Sequence, residues 1–438
     1  MNTRAQPRHV STASPTGSSN LRAFVVDDDP LIVDVLTHHL TGAGYQVTGY
    51  QSTVAALNDV LTQKPDFVLV DIMMPELDGL EFCRRVRQHA GLAAIKLIVV
   101  TAKNYDFDRR QAVVVGANGY ITKPIGSDFL PELQALLSPA AEIRYWGVRG
   151  TLPASGRNTL KYGGNTSCVT MSFGRDHMFI FDAGTGIRTL GADIMARGKR
   201  VSGHILISHP HWDHINAFPF FAPLYALGNE FEVVGAGHGD ITMEKMIGDQ
   251  MDSIYFPMTM REFGARVTFR DIGEQQFEAE GVKIRTLLLS HPGRCLGYRI
   301  DTANRAFCYV TDNELFPNDL PQYDPHYRKR LIDFVKDADV LITDATFSDE
   351  MYRKRIGWGH SAVSEVAHLA HDAGVKELHL FHHEPDQTDD AIDDKLKQAQ
   401  NRLAALGSST RCVAPAEGDI VSVALEPGLA AKPRVPIY

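Results

Sequence analysis

Apolar residues in this chain gather in short runs, and many of these runs end on a polar residue with useful chemistry. Near the front, Phe24-Val25-Val26 ends in Asp27-Asp28-Asp29, Phe67-Val68-Leu69-Val70 in Asp71, Leu97-Ile98-Val99-Val100 in Thr101-Ala102, and Gly119-Tyr120-Ile121-Thr122 in Lys123-Pro124. Runs this short predict buried strands. The helical stretches between them predict a parallel α/β sheet with its functional residues at the carboxyl edge. The second part of the chain repeats the pattern. His204-Ile205-Leu206-Ile207 leads into His209-Pro210-His211-Trp212-Asp213-His214, and later runs lead into Ser290-His291-Pro292, Val310-Thr311-Asp312 and Leu380-Phe381-His382-His383.

Composition sets the frame. The chain has 438 residues, 44% hydrophobic and 22% charged, enough for two or three domains with sizeable cores. A net charge of −9 argues against a general nucleic-acid-binding surface. No apolar run approaches the ~18 residues of a spanning helix. The basic N-terminus lacks the apolar stretch of a secretory signal. Cys83, Cys168, Cys295, Cys308 and Cys412 are scattered and form no CxxC pair, which suits reduced thiols in a cytoplasm.

Residues 1–20 are rich in Ser, Thr, Pro, Gly and Asn and read as a disordered tail. The expected organisation continues with a domain over 21–138, a short linker over 139–142, a second domain over 143–425 and an irregular tail over 426–438. A linker this short predicts domains that touch rather than tumble freely. The methionines between Met243 and Met260 read as core, with a soft lid as the alternative.

The convergence of Asp27, Asp28, Asp71, Thr101 and Lys123 resembles the response-regulator receiver domain over Leu21 to about Ser138. The resemblance implies a doubly wound, five-stranded parallel α/β domain of flavodoxin-like type. It implies phosphorylation of Asp71 by a sensor histidine kinase or phosphotransfer protein. Asp27, Asp28 and Asp71 would hold Mg²⁺, Lys123 would pair with the phosphoryl group, and Thr101 would hydrogen-bond it. Tyr120 would change rotamer with Thr101. The chemistry agrees: a carboxylate accepts a phosphoryl group only where charge is neutralised and the oxygens are held, and Mg²⁺ takes oxygen ligands.

Three imidazoles and a carboxylate within six residues are donors suited to zinc and related divalent metals. This run is similar to the HxHxDH signature of the metallo-β-lactamase superfamily, and the later segments match that family's remaining ligands in chain order, over roughly Ile143 to Val423. The resemblance implies an αβ/βα four-layer sandwich holding two divalent ions. One would take His209, His211 and His291, the other Asp213, His214 and His382, with Asp312 as the bridge; His383 is the rival of His382. Zinc is the default metal, with manganese or iron as alternatives. Gly163-Gly164-Asn165-Thr166-Ser167-Cys168 and Phe181-Asp182-Ala183-Gly184-Thr185-Gly186 look like supporting or phosphate-facing loops of a bacterial subfamily, with packing an equal alternative for their glycines.

Two more segments, Asp344-Ala345-Thr346-Phe347 and Gly359-His360-Ser361, resemble elements of the tRNA-maturing ribonuclease and cyclic-nucleotide phosphodiesterase branch. The resemblance makes His360 the general acid and Asp344 its orienter, so the catalytic groups expected are Asp213, His360 and Asp344. The turn Asp301-Thr302-Ala303-Asn304-Arg305 leaves no room for an inserted tRNA-binding arm there. The expected protein is a cytoplasmic response regulator whose output is a metal-dependent hydrolase of a small phosphodiester. A thioester or other carboxylic-derivative hydrolase and a non-catalytic nucleotide- or partner-binding module are the alternatives. No DNA or membrane partner is expected; a homodimer is allowed.

Overall fold

The computed structural model describes residues 9–11, 21–92, 94–103, 106–137, 140–173, 178–198, 200–302 and 304–425. It divides into two compact units, one within Thr12–Ala140 and the other comprising Ala141–Val423 with the segment ending at Ser11.

The first unit holds five strands, of which the inner Arg22–Val26, Phe67–Val70 and Lys96–Thr101 are apolar and buried along nearly their whole length, whereas the edge strand Gln46–Tyr50 is largely exposed. Their order is Gln46–Tyr50, Arg22–Val26, Phe67–Val70, Lys96–Thr101, Gly119–Thr122, and every pair is parallel. Alternation splits each strand between two cores. Val68, Val70, Leu97 and Val99 pack with Ala56, Val60, Phe82 and Val86, whereas Phe67, Leu69, Ile98 and Val100 pack with Val33, Leu36, Leu40 and Leu133. The helices Thr53–Gln63 and Gly79–Gln88 therefore cover one face, and Pro30–Gly42 and Phe129–Leu137 the other. This is the parallel sheet that the alternating pattern predicts, doubly wound as the resemblance implies. Asp29 is used locally: its carboxylate accepts from the Leu31 amide at 2.9 Å and caps the helix that Pro30 opens.

The second unit holds two mixed sheets. One has eight strands in the order His9–Ser11, Ile420–Ala424, Ala140–Gly147, Cys168–Phe173, Met178–Phe181, Ser202–Leu206, Glu230–Gly235, Arg266–Asp271. The other has seven: Gln276–Ala279, Val282–Leu288, Leu296–Asp301, Ala306–Val310, Val340–Asp344, Glu377–Phe381, Arg411–Val413. Period-2 alternation again assigns the faces. Tyr145, Phe173 and Phe181 of the first sheet meet Phe381, Phe307, Tyr298 and Tyr309 of the second at ring separations of 4.9–6.3 Å. The intervening Ile180 and Ile205 pack outward with Ile187, Leu190 and Ile194 of the helix Gly186–Ala196. Cys308, Leu341 and Leu378 pack outward with residues of the helices Pro325–Val335, Val363–Asp372 and Asp389–Ala405. Helix, sheet, sheet, helix is the four-layer arrangement implied by the resemblance.

Two expectations need correction. His9–Ser11, inside the segment read as a disordered tail, forms a strand parallel to Ile420–Ser422. Ala140–Glu142, read as linker, open the strand Ala140–Gly147, where Glu142 opposes Ser172. At His9–Ser11 an open sheet edge recruits backbone whose side chains carry no apolar pattern, because ladder hydrogen bonds need only the main chain. Ser138-Pro139, the rest of the residues 1–20 and the tail 426–438 lie outside the described residues. Among the described residues, no helix is long and apolar enough to cross a membrane.

Met243 and Met251 are buried, and Met246 and Met260 pack against the same core, while Ile254 and Tyr255 between them are 81% and 79% exposed. Met243, Met246, Met251 and Met260 are core, as read, and the apolar tip of that segment is not.

Candidate metal centre and receiver site

The strand Ser202–Leu206 delivers the first donors. Beyond it, Ser208 to Ile215 turns into a short helix, Trp212–Ile215, which places His209, His211, Asp213 and His214 at the end of the sheet. The second sheet supplies His291, Asp312 and His382 from the loops after Leu288, Val310 and Phe381. The structure brings these seven residues together in two groups. Ligand-type atoms of His209, His211 and His291 lie within 4.8 Å of one another, as do those of Asp213, His214 and His382. Asp312 stands between the groups. One of its oxygens is 3.7 Å from Nε2 of both His209 and His291, and the other is 3.1 Å from His214 Nε2 and 3.2 Å from His382 Nε2.

This donor set fits divalent metal. Nε2 of His209 is fully buried and has no hydrogen-bond partner, a cost that a cation would remove. Burial and the neighbouring histidines push the His209 pKa well down, so its imidazole is neutral, as a ligand must be. Burial opposes ionisation of Asp312, but His382, His214 and His209 outweigh it and hold its carboxyl well below the usual range.

Outer contacts hold the Nδ1 atoms of His214, His291 and His382, so that their Nε2 atoms face the centre. His214 Nδ1 donates to Asp182 Oδ2 at 2.7 Å, an oxygen that also accepts from Ser208 Oγ at 2.9 Å and Tyr309 Oη at 2.7 Å. His291 Nδ1 donates to the Gly359 carbonyl at 2.8 Å, and His382 Nδ1 lies 3.1 Å from Thr346 Oγ1. The peptide N–H of Thr151 donates to Asp213 at 2.7 Å. Just before it, a Cβ on Gly150 would fall 2.1 Å from the His382 ring, which explains that glycine. Asp182, Asp312 and His382 all adopt left-handed backbone at φ 60°, 37° and 60°. Non-glycine residues hold such conformations only where their surroundings over-determine them.

His383 is not part of the cluster. Its side chain is fully buried, its ring nitrogens have no partner, and its ring packs edge-on against Tyr162 at 6.0 Å. Burial, Lys395 and Arg149 push its pKa well down. The Gly163–Cys168 and Phe181–Gly186 segments stitch to each other: the Thr166 and Thr185 amides donate to each other's hydroxyls at 2.8 Å. Asp182 is the member of these segments that supports the centre.

His360 stacks over His382 at 5.0 Å and donates from Nδ1 to Asp344 Oδ2 at 2.8 Å. Burial lowers its pKa, but Asp344, Asp312 and Asp213 outweigh that and raise it to about 9. Asp344 is itself held: its other oxygen accepts from Thr346 N at 2.9 Å and Thr346 Oγ1 at 2.7 Å. Glu314 was not anticipated. It is 2% exposed and accepts from Gly357 N and Gly359 N at 2.7 Å each and from Tyr352 Oη at 3.0 Å. It thereby anchors the loop that carries His360 and the carbonyl that orients His291. An acid two residues past Asp312 carries no sequence signal that separates it from a solvated one.

In the first unit, Asp27, Asp71 and Thr101 are buried at the carboxyl edge of the sheet. Lys123 Nζ reaches Asp27 Oδ2 at 2.6 Å and Asp71 Oδ1 at 3.3 Å. Burial disfavours its charge, but the two carboxylates more than compensate and raise its pKa. Asp28 is exposed and lines a cleft of about 500 Å³ with Met73, Lys103 and Asp108. Tyr120 lies under Arg109, 4.8 Å from its ring centre, and donates to the Lys103 carbonyl at 2.8 Å.

Comparison with known proteins gives two family matches: a response regulator receiver domain over residues 23–134 and a β-lactamase superfamily domain over 177–383. The alkaline phosphatase synthesis transcriptional regulatory protein PhoP of Bacillus subtilis is 38% identical over 105 residues, 24% of this chain and 43% of that protein. The response regulator MprA of Mycobacterium sp. (strain KMS) is 36% identical over 118 residues, 27% of this chain and 50% of that protein. The chain thus spans half or less of the length of these curated relatives. The metallo-β-lactamase fold protein YhfI of Bacillus subtilis is similar in structure, with 20% identity and a TM-score of 0.48, over 65% of this chain and 100% of that one.

Proposed function

Because the chain joins a response regulator receiver domain to a β-lactamase superfamily domain, we propose that it is a response regulator whose output is a dinuclear metal-dependent phosphodiesterase acting on small phosphodiesters such as cyclic nucleotides. The observation that carries this reading is the complete set of seven donors with His360 and Asp344 beside it. His209, His211 and His291 would hold one divalent cation and Asp213, His214 and His382 the other, with Asp312 shared; zinc is the first choice. When bound, such a pair activates water at neutral pH and neutralises charge on the attacked phosphorus. Asp344 occupies Nδ1 of His360, which leaves Nε2 as the atom that gives its proton to the departing oxygen. A leaving alkoxide needs that proton. A histidine kinase or phosphotransfer protein in the cytoplasm would phosphorylate Asp71, with Mg²⁺ on Asp27, Asp28 and Asp71.

The test is metal analysis of the carefully purified protein alongside turnover of diester, cyclic-nucleotide and thioester substrates. About two metals per chain are expected, with diester turnover that chelators abolish. Asp312→Ala should lose both together. Metal-free protein whose activity ignores chelators would overturn the metal assignment, and turnover of thioesters alone would replace the substrate class.

A further inference from the structure

The chain has three tryptophans. Trp146 is buried, but Trp212 and Trp358 are 79% and 61% exposed. Both belong to segments that build the metal centre. Trp212 lies between His211 and Asp213, and Trp358 immediately precedes Gly359, whose carbonyl holds His291. His291 in turn lies 3.2 Å from His211. The contact series Gly359–His291–His211 therefore has an exposed tryptophan at each end.

Single exposed apolar side chains are common and need no explanation. Trp358 differs in how firmly it is presented. Gly357 and Gly359, on either side of it, adopt φ of 87° and 86°, and both their amides donate to the buried carboxylate of Glu314. The Arg355 guanidinium lies 4.9 Å from the Trp358 ring centre and is pinned by an ion pair with Glu384. Burying a carboxylate is costly, and here it fixes a loop whose outward feature is one indole. A rigid ring backed by a cation and open to solvent is a stacking platform: base–aromatic stacking tolerates any base, and a neighbouring cation adds to it. Only Gly359 separates Trp358 from His360, so a ring stacked on it lies within the reach of a nucleoside from the reacting centre.

We propose that Trp358 is a specificity-determining residue that stacks on the planar base of a nucleotide substrate whose phosphate occupies the centre. This deepens the phosphodiesterase reading and rests on it.

The experiment uses the zinc-loaded full chain and titrates adenosine 5′-monophosphate and ribose 5-phosphate by calorimetry. These share a phosphate and a ribose and differ in the base. The parent is expected to bind the adenylate roughly 5- to 150-fold more tightly, the range that stacking of one base supplies. Trp358→Ala should remove most of that preference while leaving ribose 5-phosphate binding and zinc content unchanged, and Trp358→Phe should keep part of it. Equal binding of the two probes by the parent overturns the proposal and leaves the exposed rings to a macromolecular partner. A preference that survives Trp358→Ala also overturns it, whether or not Trp212→Ala then removes it. Diester turnover is scored separately. Selective adenylate binding without turnover removes the phosphodiesterase reading and keeps the platform; turnover without base preference does the reverse.

Discussion

His360 and His382 stack 5.0 Å apart, yet their partners set them different tasks. His382 Nε2 faces Asp213 and Asp312 at 3.1 and 3.2 Å, in the position of a metal ligand. His360 spends Nδ1 on Asp344 and is free at its other nitrogen to move a proton. His360→Ala should therefore slow a diester with an alkoxide-like leaving group by ~10²–10⁴-fold, the usual contribution of a general acid. It should slow a nitrophenyl ester far less, because nitrophenolate departs without protonation, and metal content should not change. Equal losses on both substrates would assign His360 to structure. Steady-state rates on the two esters, with metal analysis of the same samples, decide it. The choice between His382 and His383 also belongs to this scale. Along Glu377–Phe381, alternation sends Leu378 and Leu380 to the helix side and His379 and Phe381 to the other sheet. At His382 the backbone turns left-handed and the alternation stops.

At the scale of elements, strand ends and the loops that follow them carry the candidate chemistry, and long-range contacts hold those loops in place. The loop from Gly357 to His360 depends on Glu314, which comes from the segment after a different strand. Glu314→Ala would leave two amides and the Tyr352 hydroxyl without their charged acceptor. Hydrogen bonds to charged groups contribute about 1.5–3 kcal/mol each, so a loss of about 3 kcal/mol or more in stability is expected, read from the midpoint of chemical denaturation. Diester turnover should fall with it, because His360 and the carbonyl that orients His291 move together. A variant as stable and active as the parent would show that the loop holds itself. The short hairpin from Leu296–Asp301 to Ala306–Val310, by contrast, follows directly from its sequence: Asp301 pairs with Ala306 and the turn closes through Thr302 and Arg305.

At the scale of the whole molecule, the chain carries two compact units. Two residues separate the helix Phe129–Leu137 from the strand Ala140–Gly147, and His9–Ser11 begins the chain's described part in the second unit's sheet. A phosphorylation switch of the kind proposed works through a two-state surface that two sites can bias. Acetyl phosphate with Mg²⁺ should label the chain once and change kcat/KM on one substrate by roughly 5- to 150-fold, the span of typical couplings of ~1–3 kcal/mol. Asp71→Asn should take no label and show no change. Intact-mass measurement and steady-state kinetics on the same samples check both. Identical turnover in every state would leave the receiver to govern location or partner choice instead.

Four of the five receiver strands, the strand-end position of every candidate donor and the shortness of the hairpin were legible in the residues themselves. Each depends on local alternation and on a polar residue that ends an apolar run, and such patterns survive without knowledge of the partner. The folded structure alone decided the rest. That Asp182 binds His214 and Tyr309, that Glu314 closes on Gly359, and that His383 packs away while His382 turns in all depend on residues that lie far apart in the chain. The strand His9–Ser11 was hidden for a different reason. A sheet edge binds main-chain groups, which every residue has, so no side-chain pattern announces it.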